Sequence, residues 1–174
     1  MTSIRIARLS DLPRIVDIYN QAVLASFETG DTAITTVAQR QDWFRSHQAG
    51  RFPVYVCEAD GVVAGWLSLS PYRAGRDAFR FTAEVSYYLD KDYRRRGIGS
   101  SLLQYALDAA AQLQFKTLFG IILDRNRPSI ELLKKFGFVL WGHMPAVADF
   151  DGQPCGHVYY GRHIGPAAGY RQNE

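Results

Sequence analysis

Cysteine is scarce in this sequence, and so are charge of one sign and long apolar runs. Cys57 and Cys155 are the only cysteines among 174 residues, too few and too far apart for a disulfide framework or a metal ligand set. The 20 Lys and Arg exceed the 17 Asp and Glu by only 3, less than a dedicated nucleic-acid binder needs. No apolar stretch approaches the roughly 20 residues that span a bilayer. We expect reduced thiols, a cytoplasmic location, and no metal, nucleic-acid or membrane partner.

What the sequence does contain is the composition of a folded domain. Hydrophobic residues make up 47% and charged residues 21%, a balance that excludes disorder and allows burial of about 70% of the unfolded chain's surface. The N-terminus has charges among its first residues, unlike a secretory signal. We expect a single domain over residues 1–164 and a tail over residues 165–174.

The hydrophobic periodicity changes along the chain from that of helices to that of strands and back. Ser10 is expected to cap a first helix, and a second helix is expected to follow Thr36 and to end near Gly50. A hairpin is expected around the turn dipeptide Asp60-Gly61. The later strands are expected at FRFTAEVSYYL, TLFGIIL, FVLWGHM and GHVYYGRHI. This order predicts a mixed α/β domain with antiparallel and parallel pairings.

The most informative segment is Arg94-Arg95-Arg96-Gly97-Ile98-Gly99, which lies between a predicted strand and a predicted helix. The first N–H groups of a helix have no partners and its dipole favours negative charge, so such a junction can bind phosphate. The glycines allow a diphosphate to approach closely, and the arginines attract it. The alternative is a glycine-containing loop with a solvated basic run.

This segment resembles the Arg/Gln-x-x-Gly-x-Gly/Ala signature of the GNAT acetyltransferase superfamily, and the resemblance extends over essentially the whole chain. Asn126-Arg127-Pro128-Ser129 is similar to its Asn-x-x-Ala/Ser motif, and Phe136-Gly137-Phe138 to its closing Gly-Phe. Within the superfamily the chain resembles the phosphinothricin and methionine sulfone or sulfoximine acetyltransferase group. That likeness is carried by Tyr19 to Val23, Phe27, Trp43-Phe44, Arg73 and Thr82-Ala83-Glu84.

The resemblance implies the GNAT fold, which is α/β of the α+β type: a mixed, mostly antiparallel sheet of six to seven strands with helices on both faces. It also implies acetyl-CoA as co-substrate without a metal, a small-molecule amine acceptor of amino-acid type, and a homodimer. By position, cofactor binding falls to Tyr87, Tyr88, Leu89, Arg94, Arg95, Arg96, Gly97, Ile98, Gly99, Ser100, Asn126 and Ser129.

Glu84 is expected to be the catalytic base, because an amine must lose its proton before it can accept an acyl group. The alternative is an exposed strand carboxylate paired with Arg80. The backbone N–H of Tyr87 or Tyr88 is expected to stabilise the oxygen that becomes negative during transfer.

Two further residues are expected to bind the substrate. A guanidinium can hold an amino-acid carboxylate bidentately, and Arg73 is expected to do so, with Arg76 as the alternative. Phe27 is expected to form a wall of the pocket, although an aromatic residue in such a loop can also belong to the core.

The proton donor and the identity of the acceptor are left open by the remaining positions. The family's Tyr proton donor aligns with Leu133, which cannot donate a proton. Either the thiol leaves unaided, or the hydroxyl of Ser129 or a water donates the proton. His143, His157 and His163 are interpreted as strand or surface residues. The alternative functions are acetylation of a protein N-terminus or a polyamine, for which an acidic pocket lining is expected, or acetyl-CoA binding with weak catalysis.

Overall fold

The computed structural model of the protein describes residues 2–48 and 50–165. Its strands are β1 (Thr2–Ile6), β2 (Val54–Ala59), β3 (Val62–Pro71), β4 (Thr82–Leu89), β5 (Thr117–Leu123), β6 (Val139–Phe150) and β7 (Gln153–His163). Its α-helices are α1 (Leu12–Leu24), α2 (Val37–Gln48), α3 (Ile98–Gln112) and α4 (Arg127–Lys135). The expected tail, residues 165–174, lies outside the described residues except for Gly165.

The strands form one seven-stranded sheet in the order β1-β2-β3-β4-β5-β7-β6. Neighbouring strands are antiparallel except for β4 and β5, which are parallel. Helices α3 and α4 contribute to the core on one face of the sheet, and α1 and α2 to the core on the other. The predicted mixed, mostly antiparallel sheet with helices on both faces is confirmed.

Trp66 on β3 anchors the α1–α2 layer to the sheet. Its indole N–H donates to the backbone carbonyl of Ile15 in α1 at 3.1 Å, and its ring lies 5.6 Å from the ring of Trp43 in α2. A buried indole usually finds such a hydrogen-bond acceptor. The sheet therefore holds both helices in fixed positions beside β4.

Side chains of β4 alternate between the two faces of the sheet. Ala83 and Val85 are buried in the core shared with α3 and α4. The ring of Tyr88 instead contacts Tyr19 of α1, with 4.9 Å between the centroids. Because Glu84 and Ser86 have the same parity as Tyr88, they lie on the α1–α2 face.

Strands β4 and β5 separate in the middle of the sheet. Their parallel pairing ends where Glu84 is the partner of Phe119. Beyond that point β4 stays paired with β3 as far as Leu89, and β5 stays paired with β7 as far as Leu123. The gap between residues 85–89 and residues 120–123 is called the cleft below.

Several boundaries differ from the sequence prediction. Ser10 does not cap α1, because residues 9–11 form a 3-10 turn and α1 begins at Leu12. A second 3-10 turn at residues 77–79 delays β4 until Thr82. The β6–β7 hairpin is longer than predicted and turns at Asp151-Gly152, where both residues have positive φ, as at Asp60-Gly61.

We expect Gly120→Ala to destabilise the fold, because a Cβ at this position in β5 would lie 2.5 Å from Cδ1 of buried Leu133. Overpacking of this kind should lower the free energy of unfolding by about 1–3 kcal/mol in urea titrations. Gly142→Ala is the control, since a Cβ there meets no atom within 4 Å and should change stability by less than about 0.5 kcal/mol. Equal stability of the two variants would contradict the packing of Leu133 on Gly120.

Candidate functional site

Two cavities lie side by side in the cleft. The Glu84 cavity has a volume of about 440 Å³ and reaches Glu84, Thr29 and His157. The Arg94 cavity has a volume of about 310 Å³ and reaches Leu89, Arg94 and Arg95. Both are lined by Glu28, Tyr87, Tyr88, Asn126 and Ser129.

The carboxyl group of Glu84 lies where β4 and β5 separate, in a partly buried position. Burial raises its pKa above the ordinary value, and a hydrogen bond from Ser86 opposes that rise. The alternative pairing with Arg80 does not occur in the structure. Arg80 Nη1 donates to the backbone carbonyl of Asp77 at 2.9 Å, and its guanidinium lies 4.4 Å from the ring of Phe81.

The backbone of β4 presents hydrogen-bonding groups to the cleft. The carbonyl of Thr82 and the N–H of Asp90 bond to β3 or its extensions, and the carbonyl of Phe81 accepts from the segment leading into β5. Residues of even number therefore direct their backbone groups towards β3, and those of odd number towards β5. Because β5 has turned away, the N–H of Tyr87 faces the cleft. Tyr88, the other residue expected to offer a free N–H, directs its N–H towards β3.

Helix α3 begins at the outer end of the cleft. Gly97 is its N-cap in the left-handed conformation, with a φ of 81°. The first N–H to enter the helical ladder is that of Ser101, which donates to the Gly97 carbonyl at 3.0 Å. The N–H groups of Ile98, Gly99 and Ser100 precede it and form a helix N-terminus suited to a phosphate.

Gly99 differs from the expectation that it makes room for a diphosphate. It is buried, and a Cβ there would lie 3.1 Å from Leu132 of α4 and 3.3 Å from Leu89 of β4. The missing side chain allows α3 to pack closely against its neighbours. Gly97 has open space around its Cβ position, so its positive φ is what favours glycine there.

The three arginines before α3 have different partners. Arg94 donates from Nη1 and Nη2 to the two carboxylate oxygens of Glu28, at 2.8 and 2.7 Å. Arg95 lines the Arg94 cavity, and the guanidinium of Arg96 lies 4.9 Å from the ring centroid of Tyr93.

The start of α4 forms the opposite wall of the cleft. Asn126 is the N-cap of this helix and accepts from the N–H of Ser129 at 3.3 Å. The hydroxyl of Tyr87 reaches across and donates to the Ser129 carbonyl at 3.1 Å. Burial raises the pKa of Tyr87 to about 12, so its hydroxyl is protonated at neutral pH.

Leu133, where the resemblance places the family's proton donor, is fully buried. It packs against Gly120 of β5 and lines neither cavity of the cleft. Its side chain therefore belongs to the core.

The structure does not bring Arg73 or Phe27 into the Glu84 cavity. Arg73 lines a separate cavity of about 170 Å³ in the loop between β3 and β4, together with Arg76. Phe27 packs on Phe150 at 4.8 Å between ring centroids, and the guanidinium of Arg125 lies 4.6 Å from the Phe27 ring. Phe27 thus holds its loop against the end of β6.

Sequence reasoning missed Glu28, Thr29 and His157, all of which line the Glu84 cavity. His157 enters it because β7 pairs it with Leu123 at the end of β5, and burial lowers its pKa so that it is neutral at physiological pH. The residues around His157 do not indicate this pairing, because β5 and β7 are far apart in the sequence. For Glu28, the sequence offers only its position next to Phe27, a residue expected to line the pocket.

Over residues 2–48 and 50–165, no cluster of three or more His, Cys, Asp or Glu is arranged to hold a metal ion. The helices in these ranges are too short or too polar to cross a membrane.

Comparison with known proteins gives consistent results. Residues 12–138 match the sequence profile of the acetyltransferase (GNAT) family. The chain is 39% identical over 163 residues to YwnH of Bacillus subtilis, a candidate phosphinothricin acetyltransferase, covering 93% of this chain and 99% of that protein. It is 35% identical over 146 residues to a Pseudomonas aeruginosa L-methionine sulfoximine/L-methionine sulfone acetyltransferase, covering 83% and 84%. A GNAT superfamily phosphinothricin acetyltransferase from Sinorhizobium meliloti in complex with acetyl-CoA superposes with a TM-score of 0.91 at 28% identity, covering 99% and 94%.

We expect Gly97→Val to lower the affinity for acetyl-CoA at least tenfold in calorimetry. A β-branched residue is strained at a φ of 81°, so the loop should relax and withdraw the helix N–H groups from the diphosphate. Gly75→Val is the matched control, because Gly75 has a φ of 78° in the distant β3–β4 loop. Unchanged affinity in the Gly97 variant would argue against cofactor binding at this loop.

Proposed function

Because the chain belongs to the acetyltransferase (GNAT) family, we propose that it transfers the acetyl group of acetyl-CoA to the amine of a small amino-acid-like substrate. Phosphinothricin, methionine sulfone and methionine sulfoximine represent this substrate class. The observation that carries the proposal is the position of Glu84, a half-buried carboxylate where β4 and β5 separate.

The described residues fit acetyl-CoA. The cleft offers the backbone N–H of Tyr87 along one wall, Asn126 and Ser129 along the other, and the N-terminus of α3 with its arginines at the outer end. Acetyl-CoA supplies an acyl group activated as a thioester. The helix N-terminus would hold the diphosphate, and β4 would align the arm that leads to the thioester.

Glu84 would take the proton of the acceptor amine, directly or through a water. The N–H of Tyr87 is placed to donate to the thioester oxygen as it gains negative charge. With Leu133 in the core, the thiolate would leave unaided or take a proton from a water or from a hydroxyl that lines the Arg94 cavity, such as that of Ser129, Tyr87 or Tyr88. The presence of these hydroxyls supports the enzymatic over the binding-only alternative.

Glu84→Gln keeps the shape of the side chain and removes the base. We expect turnover at neutral pH to fall by ~10²-fold or more and to recover partly at higher pH, where more of the amine is neutral. Steady-state rates across pH measure both effects. Wild-type turnover at every pH would leave Glu84 without a catalytic role.

The acidic limb of the wild-type pH profile should lie above the ordinary range of a carboxyl group, because burial raises the pKa of Glu84 and only the charged form accepts a proton. Ser86→Ala removes the hydrogen bond that lowers this pKa. Its acidic limb should therefore move to higher pH, while an unshifted limb would assign the ionisation to another group.

We propose that Arg73 binds the acceptor carboxylate. A charge-assisted, bidentate bond to a carboxylate is what the guanidinium offers, and Arg76 and Arg80 line the same small cavity. One observation favours a second candidate, a polyamine. The described residues that line the Glu84 cavity include Glu28 and Glu84 but no Arg or Lys, which is the acidic lining expected for a carboxylate-free amine.

Arg73→Ala distinguishes the two acceptors. Loss of a charge-assisted bond worth ~1.5–3 kcal/mol should raise the KM for a free amino acid by roughly tenfold to a hundredfold. Carboxylate-free amines should be affected little by the same substitution. If amidated or decarboxylated analogues are the better substrates of the wild type, the polyamine candidate replaces the amino acid.

We further propose that residues 1–164 form one catalytic domain that works in the cytoplasm as a homodimer. Free thiols at Cys57 and Cys155 and a dependence on acetyl-CoA support the location. The edge strand β6 supports the dimer, because it exposes Trp141 and Val139 and such an edge is suited to self-association. Trp141 also shares a groove of about 1270 Å³ with Tyr72, so a second copy docked there would approach the Arg73 loop.

A further inference from the structure

Glu28 lies at the boundary between the two cavities of the cleft. Among the described residues it is the one charged side chain that lines both the Glu84 cavity and the Arg94 cavity. It therefore lies where the acceptor and the cofactor are expected to meet.

Glu28 is bound by Arg94 in the structure. The guanidinium and the carboxylate form two parallel hydrogen bonds of 2.8 and 2.7 Å, the geometry in which such pairs are strongest. The side chains of Arg94 and Glu28 retain 38% and 29% of their exposure. Water can thus reach the pair, and a stronger anion can displace the carboxylate.

The loop that carries Glu28 is held in place independently of Arg94. Ser26 and Phe27 both have positive φ, and the ring of Phe27 packs on Phe150. On the other side of Glu28, the hydroxyl groups of Thr29 and Tyr19 lie 2.9 Å apart and share a hydrogen bond. Release of Arg94 therefore frees the Glu28 side chain and leaves its backbone beside the Glu84 cavity.

The diphosphate of acetyl-CoA would compete with Glu28 for Arg94. Arg94 precedes Gly97, the N-cap of α3, in the basic segment, and it lines the Arg94 cavity. A diphosphate carries more negative charge than one carboxylate and also receives backbone N–H groups there. The diphosphate of the cofactor should therefore displace the Glu28 carboxylate from the guanidinium of Arg94.

We propose that Glu28 changes partner during the reaction, from Arg94 in the free protein to the ammonium group of the acceptor once acetyl-CoA is bound. The proposal rests on the function proposed above and adds to it a residue that recognises the charged amine. Glu28 draws the ammonium form, the abundant one at neutral pH, into the Glu84 cavity, where Glu84 removes its proton. Glu28 therefore acts on acceptor binding and not on the transfer step.

Glu28→Gln tests the exchange because it predicts two effects of opposite sign. The dissociation constant of acetyl-CoA should fall about two- to fivefold in calorimetry, since a competitor for Arg94 has lost its charge. The KM of the acceptor should rise about tenfold or more, with kcat changed less than twofold. A residue that only tethers the loop would not tighten cofactor binding.

Glu131→Gln is the matched control, because Glu131 forms an exposed pair with Lys134 on α4 outside both cavities. It should leave the acetyl-CoA dissociation constant and the acceptor KM unchanged. Glu28→Asp keeps the charge and should hold the acceptor KM closer to the wild-type value than Glu28→Gln does. Unfolding curves of the variants establish that each is folded.

The outcomes separate this proposal from the function on which it rests. If the wild-type protein takes up no acetyl-CoA in calorimetry, the proposed function fails irrespective of Glu28. If the wild type binds acetyl-CoA and acetylates amino acids while Glu28→Gln leaves cofactor affinity unchanged or weaker, Arg94 is not shared in this way and the exchange is wrong. An unchanged acceptor KM in that variant overturns the role in ammonium binding.

Discussion

The end of the β4–β5 pairing at Glu84 is the constraint on which the site depends. Up to that residue the two strands satisfy each other's backbone groups, and beyond it each is held by its other neighbour alone. The N–H of Tyr87 is thereby left for a ligand, and the space between the strands becomes two adjoining cavities. A continuous ladder would fill the middle of the sheet and leave no room for a thioester beside Glu84.

The elements that the sequence predicts well are those whose signal is local. Asp60-Gly61 has the residues that a two-residue hairpin requires, and both adopt the positive φ of such a turn. Helix α3 follows from a glycine at its start and a helical apolar period. Asp151-Gly152 carries the same turn signal as Asp60-Gly61, so the full length of the β6–β7 hairpin was also predictable, although the prediction stopped at Met144.

The features that sequence reasoning could not reach depend on contacts between distant segments. Nothing in the residues of β4 or β5 indicates where their pairing ends, since both strands carry β-branched or aromatic residues before and after that point. The burial of Leu133 depends on Gly120, thirteen positions earlier in the chain. In the sequence, Glu28 is indistinguishable from other polar loop residues. Its role depends on the fold, which places Arg94, 66 positions later, within hydrogen-bond distance. The separation of Arg73 from the Glu84 cavity likewise depends on the course of a loop.

The placement of the three tryptophans gives the protein two distinct optical reporters. Trp43 and Trp66 lie 5.6 Å apart in the layer beside Tyr88, so they share one environment and exchange excitation readily. Trp141 lies on the edge strand against Phe119 and His163. It is 40% exposed, and contact with water shifts indole emission to longer wavelength. Changes beside the cleft and coverage of the edge of the sheet should therefore alter different parts of one emission spectrum.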